Sequence, residues 1–369
     1  MDPYQYHPVF LLVISLLCFF FSFRFALSPD FRYQEERSSS FLALMLALIL
    51  SVWLGTRPIS LAFGDTVNYA VYYDMVDWEG RFNDLHLSWN SEYLWILYTY
   101  LCKKLDIGIH VYFATVEFGY IFFSLWAVRK FVPHNPMIGF LFVCASLMFF
   151  TFATNGIRNG LACHIMLVAM AFFLEKRFMP AIVLSFIALE IHFAVLLPLI
   201  AIIACIYGFK NYRHAIAIWI SSIVLSLLFG SRLGILMDYV PMDARMSQYL
   251  SGENMDMEVI MSFRFDFLIY SAPPIIFAWY LIVKRGITDS WYTALSSAYC
   301  LCNAAWVIII RAAFSNRFAY LSWFMYPILI AYPLLNLPIW RDQDRKIALT
   351  LTIYMMFTLF MEAVVWKSL

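Results

Sequence analysis

Residues 178–209 read FMPAIVLSFIALEIHFAVLLPLIAIIACIYGF, a stretch of 32 residues whose only acidic or basic side chains are Glu190 and His192. As one helix the stretch would be about 48 Å long, because each residue adds about 1.5 Å. That is too long for one upright crossing of a hydrocarbon core of roughly 30 Å, and too short for two full crossings. Two interpretations follow: one tilted helix with a buried polar pair, or two short helices that meet in a turn at residues 190–192.

The rest of the chain is as apolar as this stretch. Hydrophobic residues make up 63% of the 369 positions and charged residues 13%, and the mean hydropathy is positive. Soluble domains are far more polar, and no stretch alternates like a barrel strand. The sequence therefore predicts an all-α, polytopic integral membrane protein. A formal net charge of +1 argues against a nucleic-acid partner, and the seven cysteines lack the spacing of a metal site.

Eleven apolar segments are apparent along the chain. They cover residues 8–27, 41–55, 110–128, 136–153, 158–174, 178–209, 214–229, 266–283, 291–310, 318–335 and 347–365. Residues 92–105 form a shorter amphipathic stretch, whose aromatic residues and terminal Lys103 and Lys104 are typical of a helix at the membrane interface.

The distribution of basic residues favours the broken form of segment 178–209. If the chain turns at His192 and its amino terminus lies outside, one set of short loops collects 14 of the 25 lysines and arginines, as the positive-inside rule expects. An unbroken helix would reverse the membrane orientation of every later segment and place the last three of these basic clusters outside. We therefore predict about 11–12 transmembrane segments with both ends outside, in a single helical domain over residues 1–369. Outer loops 56–92 and 231–264 are expected to contribute to the functional site.

In this topology the remaining polar residues gather at the outer face. Arg158, Arg264 and Arg317 each lie at the outer end of a different apolar segment. An arginine near hydrocarbon usually has an anionic partner, and guanidinium groups match phosphate oxygens well. The three, supplemented by Arg57 or Arg311, suit a pyrophosphate. The alternative is that they contact lipid headgroups or form structural ion pairs with Asp65, Glu92 and Asp266.

Two further features suggest chemistry. His192 lies in the middle of a long apolar stretch near Glu190, where it is either a proton-transfer group or a histidine bonded to a backbone carbonyl. The motif GDTVNY (64–69) places Asp65 and Tyr69 one helical turn apart, and Asp65 is alternatively only a helix cap. Aromatic residues near the outer face suit stacking on sugar rings: Trp89, Tyr249, Tyr320 and Trp323.

In order and spacing, these motifs resemble the EpsG-like, Wzy-type bacterial polysaccharide polymerases. The matching features are Arg57 followed by GDTVNY (64–69), Glu92 at a helix start, NGIRNGLA (155–162), IHF (191–193), FRFDF (263–267) and NRFAY (316–320). They cover about residues 40–335. Asn159 departs from the glutamine that the family has after the arginine, but it keeps the amide.

The resemblance implies a GT-C-like fold and a glycosyltransferase in the bacterial inner membrane with its active site facing the periplasm. Because the sequence has no compact acidic motif of the divalent-metal kind, we expect a metal-independent reaction without cofactors. The substrate of such an enzyme would be an undecaprenyl-pyrophosphate-linked oligosaccharide, and a chain-length regulator and a flippase would be its partners besides membrane lipid. The expected catalytic residues are His192, Asp65 and Glu92. The expected substrate-binding residues are Arg158, Arg264, Arg317, Asp266, Tyr69, Tyr320 and Arg57.

Three other functions compete with a polymerase. A lipid-linked oligosaccharide flippase would use the same arginines but needs charged residues on both faces, whereas the inner loops are short basic turns. An O-antigen-ligase-like glycosyltransferase has the same substrate chemistry. A membrane acyltransferase would use His192, but the sequence lacks a second histidine or aspartate placed to complete such a site.

Overall fold

The computed structural model describes residues 1–27, 36–83, 92–209, 211–237, 263–312 and 315–365. These residues are overwhelmingly helical and include no strand, which confirms the predicted all-α class. The helices are α1 (Tyr6–Leu27), α2 (Glu36–Gly55), α3 (Thr66–Met75), α4 (Trp78–Asn83), α5 (Tyr93–Lys104), α6 (Ile109–Phe131), α7 (Pro136–Cys144), α8 (Leu147–Thr154), α9 (Ile157–Leu174), α10 (Phe178–Ile191), α11 (Leu196–Tyr207), α12 (Tyr212–Met237), α13 (Phe265–Ala278), α14 (Ser290–Ile308), α15 (Asn316–Trp323), α16 (Tyr326–Asn336) and α17 (Gln343–Phe360).

Every predicted apolar segment has a helical counterpart. Among the described residues, eight helices are long and apolar enough to cross a membrane, and a ninth crossing is possible if the bent pair α7 and α8 counts as one. The chain is therefore a multi-pass membrane protein. The prediction of 11–12 crossings also includes the shorter helices of segment 178–209 and helix α14, and it stays a prediction.

The chain divides into two compact units. The first comprises residues 1–196 and 330–369, and the second comprises residues 197–329. Within the first unit, α6 packs against α2 and α9, and α9 packs against α10. Within the second unit, α12 packs against α14. The assignment of residues 1–369 to a single domain stays a prediction.

The helix break that the sequence analysis favoured is present. Helix α10 ends at Ile191, His192 has an extended backbone (φ −152°, ψ 107°), and a single 3₁₀ turn, Phe193–Val195, leads into α11. Pro198 lies in the first turn of α11, where its missing N–H is tolerated, whereas inside an unbroken helix it would cost about 3 kcal/mol. The unbroken alternative for residues 178–209 was therefore wrong.

A second break was not anticipated. The segment predicted over residues 136–153 is two helices, α7 and α8, which meet at 74°. Ser146 has an extended backbone between them, and its hydroxyl donates to the carbonyl of Val143 at 2.7 Å. The backbone N–H of Ser146 donates to the same carbonyl at 3.1 Å, so the last carbonyls of α7 are paired at the break.

Helices α8 and α9 meet at close range. A Cβ atom on Gly160 of α9 would lie 2.7 Å from Phe152 Cβ and 2.9 Å from the Phe152 carbonyl oxygen of α8. Only a glycine fits at this position, so the turn at residues 155–156 depends on it.

Gly160→Ala should therefore lower the melting temperature of the detergent-purified protein, because overpacking costs about 1–3 kcal/mol. Gly108→Ala is the matched control, since a Cβ there meets nothing within 4 Å and should leave the melting temperature unchanged. If the two variants melt like the wild type, the close approach of α8 and α9 is wrong.

Candidate active site

The carboxylate of Glu92 joins three separate parts of the first unit. Its Oε1 lies 2.9 Å from Nδ1 of His192 and accepts a hydrogen bond of 3.1 Å from the backbone N–H of Phe193. Its Oε2 forms a salt bridge of 2.6 Å with Nη1 of Arg158. The start of α5, the start of α9 and the end of α10, which are far apart in sequence, thus meet at one side chain.

The backbone at this position is unusual. Glu92 precedes α5 and has a left-handed conformation (φ 51°, ψ 49°), which costs a residue with a side chain about 1–2 kcal/mol. Such conformations persist where the surroundings demand them. Here the three contacts of the Glu92 carboxylate hold the residue in its left-handed conformation.

A second carboxylate, that of Glu190, makes the reciprocal helix-capping contact. Oε2 of Glu190, near the end of α10, accepts a hydrogen bond of 2.9 Å from the backbone N–H of Tyr93, the first residue of α5. Glu92 in turn accepts the N–H of Phe193, the first residue after the break. Each acidic residue therefore caps the helical segment that follows the other, and each satisfies an N–H that helix geometry leaves unpaired. The break at His192 is stabilised by partners about 100 positions away.

The electrostatics of the cluster favour an ionised carboxylate. Burial would raise the pKa of Glu92, but the hydrogen bond from His192, the charge of Arg158 and the Phe193 N–H together lower that pKa to about 2. An ionised carboxylate only accepts hydrogen bonds, so the proton in the 2.9 Å contact belongs to Nδ1 of His192. In the neutral imidazole the basic lone pair is then on Nε2.

Arg158 occupies the second position of α9. Its guanidinium carbon lies 5.9 Å from the centre of the Trp95 ring, and its side chain is 18% exposed. Nη1 is engaged by Glu92, whereas Nε is buried and has no hydrogen-bond partner among the described residues. The ion pair with Glu92 that the sequence suggested as a structural alternative is therefore present.

The GDTVNY motif packs beside the same turn. The backbone N–H of Asp65 donates to Oδ1 of Asn155 at 2.8 Å, and Gly64, at φ +55°, would place a Cβ 2.6 Å from that oxygen. The glycine is therefore required twice, for its left-handed backbone and for close approach. Asp65 directly precedes α3, but its carboxylate accepts from the side chain of Asn68 and caps no backbone N–H. The alternative interpretation of Asp65 as a side-chain helix cap was therefore wrong, and its expected catalytic role stays a prediction.

Tyr69 completes the connection to the cluster. Its ring makes an edge contact of 6.1 Å with Trp95, the ring that lies beside Arg158. The structure therefore brings Tyr69 and Asp65, as well as Glu92, Arg158 and His192, to neighbouring positions in the first unit.

Arg57, unlike Arg158, lies in the protein interior. Its side chain is fully buried, where it forms an ion pair of 3.8 Å with Glu117 and donates to Leu54 O, Thr66 Oγ1 and Thr154 O. With 1% of the residue exposed, Arg57 has no surface for a ligand. We correct its expected role as a substrate-binding residue to a structural one. It holds the carbonyl of Thr154, which directly precedes the Asn155 turn, and Thr66 donates to the same carbonyl at 2.5 Å.

The second unit contains the other predicted arginines. Arg264 precedes α13 and forms a two-point salt bridge with Asp266, at 2.9 and 2.6 Å. Its guanidinium carbon lies 3.6 Å from the centre of the Phe267 ring. Arg317 lies partly exposed in the first turn of α15. Their expected roles in substrate binding stay predictions.

The aromatic predictions have mixed outcomes. Trp323 is 1% exposed and donates to Ser271 Oγ at 2.7 Å, so it is a core residue and cannot stack on a sugar. Tyr320 is mostly buried, and its hydroxyl accepts from the side chain of Asn316 at 2.9 Å. Trp89, Tyr249 and most of loop 231–264 lie outside the described residues.

Sequence reasoning missed two members of this region. Glu117 is the buried partner of Arg57, and Asn155 aligns the GDTVNY motif although only its neighbour Arg158 was singled out. A glutamate in the middle of an apolar segment was the available signal for Glu117, because a charge in a membrane span needs a partner. Among the described residues, no group of three or more His, Cys, Asp or Glu side chains is placed to hold a metal.

These observations define an all-α, multi-pass membrane protein with an imidazole and a guanidinium oriented by one carboxylate. The chain belongs to the EpsG family, whose model matches residues 40–369, and this is a family of EpsG/Wzy-like polysaccharide polymerases. The resemblance drawn from the motifs is thereby confirmed, together with a polymerase-type role. No curated protein and no solved structure matches the chain.

Glu92→Gln should destabilise the protein at pH 7 by about 1.5–3 kcal/mol, because charge-assisted contacts to Arg158 and His192 are lost. The pKa of Glu92 is lowered from 4.5 to about 2, so its contribution to stability is complete above pH 4.5 and is lost as the pH falls toward 2. Thermal unfolding in detergent should show a constant difference between wild type and variant from pH 7 to 5, and a smaller one below pH 4.5.

The control is Glu79→Gln, which changes an exposed carboxylate and should show no such difference. A difference for Glu92→Gln that stays constant down to pH 3 would contradict the described contacts.

Proposed function

We propose that the protein transfers a growing glycan from undecaprenyl pyrophosphate to a sugar hydroxyl of a lipid-linked repeat unit, at the periplasmic face of the bacterial inner membrane. Membership of the EpsG family supports polymerisation. The observation that carries the proposed mechanism is the contact of Glu92 with both His192 and Arg158. Glycosyl transfer needs a base for the acceptor and a cation for the leaving group, and this cluster contains one of each.

His192 is the proposed base. The acceptor hydroxyl oxygen forms a bond to the anomeric carbon, the bond from that carbon to the pyrophosphate oxygen breaks, and Nε2 of His192 takes the hydroxyl proton. The hydrogen bond to Glu92 fixes the tautomer that leaves Nε2 basic, and the carboxylate stabilises the imidazolium that forms. Because Nδ1 is occupied, Nε2 is the atom assigned to proton transfer.

Glu92 is then a positioning residue and a poor base. A carboxylate whose pKa is lowered to about 2 has little tendency to accept a proton near neutral pH. Asp65 remains the alternative base, since it lies beside the Asn155 turn.

Arg158 is the proposed partner of the pyrophosphate. It lies in the first turn of α9, where the helix dipole also favours an anion. Its contact with Glu92 engages Nη1, and the side chain is 18% exposed, so the accessible part of the guanidinium is assigned to phosphate oxygens. Arg264, Asp266 and Arg317, with Tyr69 and Tyr320, are retained as further proposed substrate-binding residues. Catalysis without a metal or other cofactor is part of the same proposal.

Deleting the gene and displaying surface glycans by size tests the function. A polymerase predicts that single-repeat species replace the ladder of long chains, because repeat units are still made and attached. Loss of all surface repeats would instead indicate a flippase or a ligase and would contradict the proposal.

His192→Ala should reduce the amount of long-chain glycan formed per unit time by about 10²–10⁴-fold, because a positioned acid–base group usually contributes that much to the rate. Arg158→Ala should abolish the ladder, and Arg158→Lys should restore it only in part, since lysine keeps the charge but not the planar fork. Arg213→Gln, an exposed arginine at the start of α12, is the matched control and should leave the ladder unchanged.

Membrane levels of each variant are measured by immunoblot, so that loss of activity is separated from loss of protein. Full-length polymer in His192→Ala at normal protein levels would eliminate His192 as the base. If Asp65→Asn then abolished the ladder, the base would be Asp65.

A further inference from the structure

A groove lies between α2 and α6 in the first unit, away from the Glu92 cluster. Its volume is about 410 Å³, within the range of small-molecule sites. Leu44 of α2 and five residues of α6 line it: Phe122, Leu125, Trp126, Arg129 and Lys130. The lining is apolar along most of its length and basic at one end.

The apolar part faces the bilayer. Residues Ser38–Gly55 and Ile109–Phe131 are both long and apolar enough to cross a membrane. Leu44 is 41% exposed and Phe122 is 47% exposed, so their side chains are not covered by the protein. In a membrane such surfaces contact lipid acyl chains.

The basic end is a cluster of cations. Arg129 is exposed in the last turn of α6. Lys130 binds both oxygens of Glu175, at 2.9 and 3.0 Å, which brings the turn with Lys176 and Arg177 to the same end. Four cations against one carboxylate leave a charge of +3. Cations in the last turn of a helix also interact favourably with the helix dipole. That interaction explains the basic residues of α6 but not the apolar groove beside them.

This cluster is separate from the proposed active site. Arg158 is at one end of α9 and Glu175 is the residue after its other end, about 25 Å away at 1.5 Å per residue. That separation approaches the thickness of the hydrocarbon core, so the groove belongs to the opposite leaflet. By the positive-inside rule this is the cytoplasmic leaflet.

We propose that the groove binds one acyl chain of an anionic phospholipid, with the lipid phosphate at Arg129 and Lys130. Seven residues separate Phe122 from Arg129, about 10 Å along α6, which matches a chain that descends from a headgroup at the helix end. Charge selects the headgroup, because arginine and lysine near a membrane surface attract anionic lipids. The bound lipid would support the α2–α6 contact from the leaflet opposite the active site.

Native mass spectrometry of the full-length protein in detergent tests the proposal, with phosphatidylglycerol, phosphatidylcholine and glycerol 3-phosphate as probes. The wild type should bind phosphatidylglycerol more tightly than phosphatidylcholine and should not bind glycerol 3-phosphate. Arg129→Gln should weaken phosphatidylglycerol binding about fivefold, as expected for the loss of one surface cation, and leave phosphatidylcholine unchanged. Leu44→Trp, which fills the groove, should weaken the binding of both lipids.

Arg213→Gln is again the control and should bind both lipids like the wild type. Both test positions are exposed, so the variants are expected to fold, and gel-filtration profiles check this. The proposal is overturned if Arg129→Gln and Leu44→Trp bind phosphatidylglycerol like the wild type, or if Arg213→Gln loses as much affinity. Equal binding of glycerol 3-phosphate would indicate an anion site on the surface and would also overturn the lipid groove.

Discussion

The contact of Glu92 with His192, Phe193 and Arg158 is the interaction on which the site depends. Helix ends among apolar surroundings are costly, because a bilayer offers no water to pair with their free N–H groups. Glu92 and Glu190 meet this constraint by capping each other's neighbouring segments. These two distant acids stabilise the break at residue 192, where the imidazole of His192 contacts Glu92.

The second constraint is the buried pair of Arg57 and Glu117. Neither side chain contacts solvent, and removing either partner of such a pair typically costs about 3–5 kcal/mol. Arg57 and Thr66 both donate to the carbonyl of Thr154, and Asn155 accepts from Asp65. These bonds fix the start of α9 against the GDTVNY motif. Arg158, three residues beyond Asn155, is positioned as a result.

How far the sequence predicts this arrangement depends on the range of each contact. Segment length left two forms of residues 178–209 open, and the distribution of basic residues predicted the broken one. Motif order predicted the family. All of these are properties of the chain itself. The 74° bend at Ser146 was missed, since a serine in an apolar run is equally compatible with a straight helix. Burial of Arg57 and Trp323 was missed because exposure depends on packing partners that spacing does not reveal. The pairing of Glu92 with His192 spans 100 positions, beyond any helical periodicity.

A double-mutant cycle on Glu92 and His192 tests the central claim most directly. The rate of glycan elongation is measured for the wild type, Glu92→Gln, His192→Gln and the double variant at equal protein levels. If Glu92 acts through His192, the double variant loses less than the product of the two single losses, because residues that work as a unit are not additive. If the two losses multiply, the residues act independently and the account of a carboxylate-oriented base is wrong.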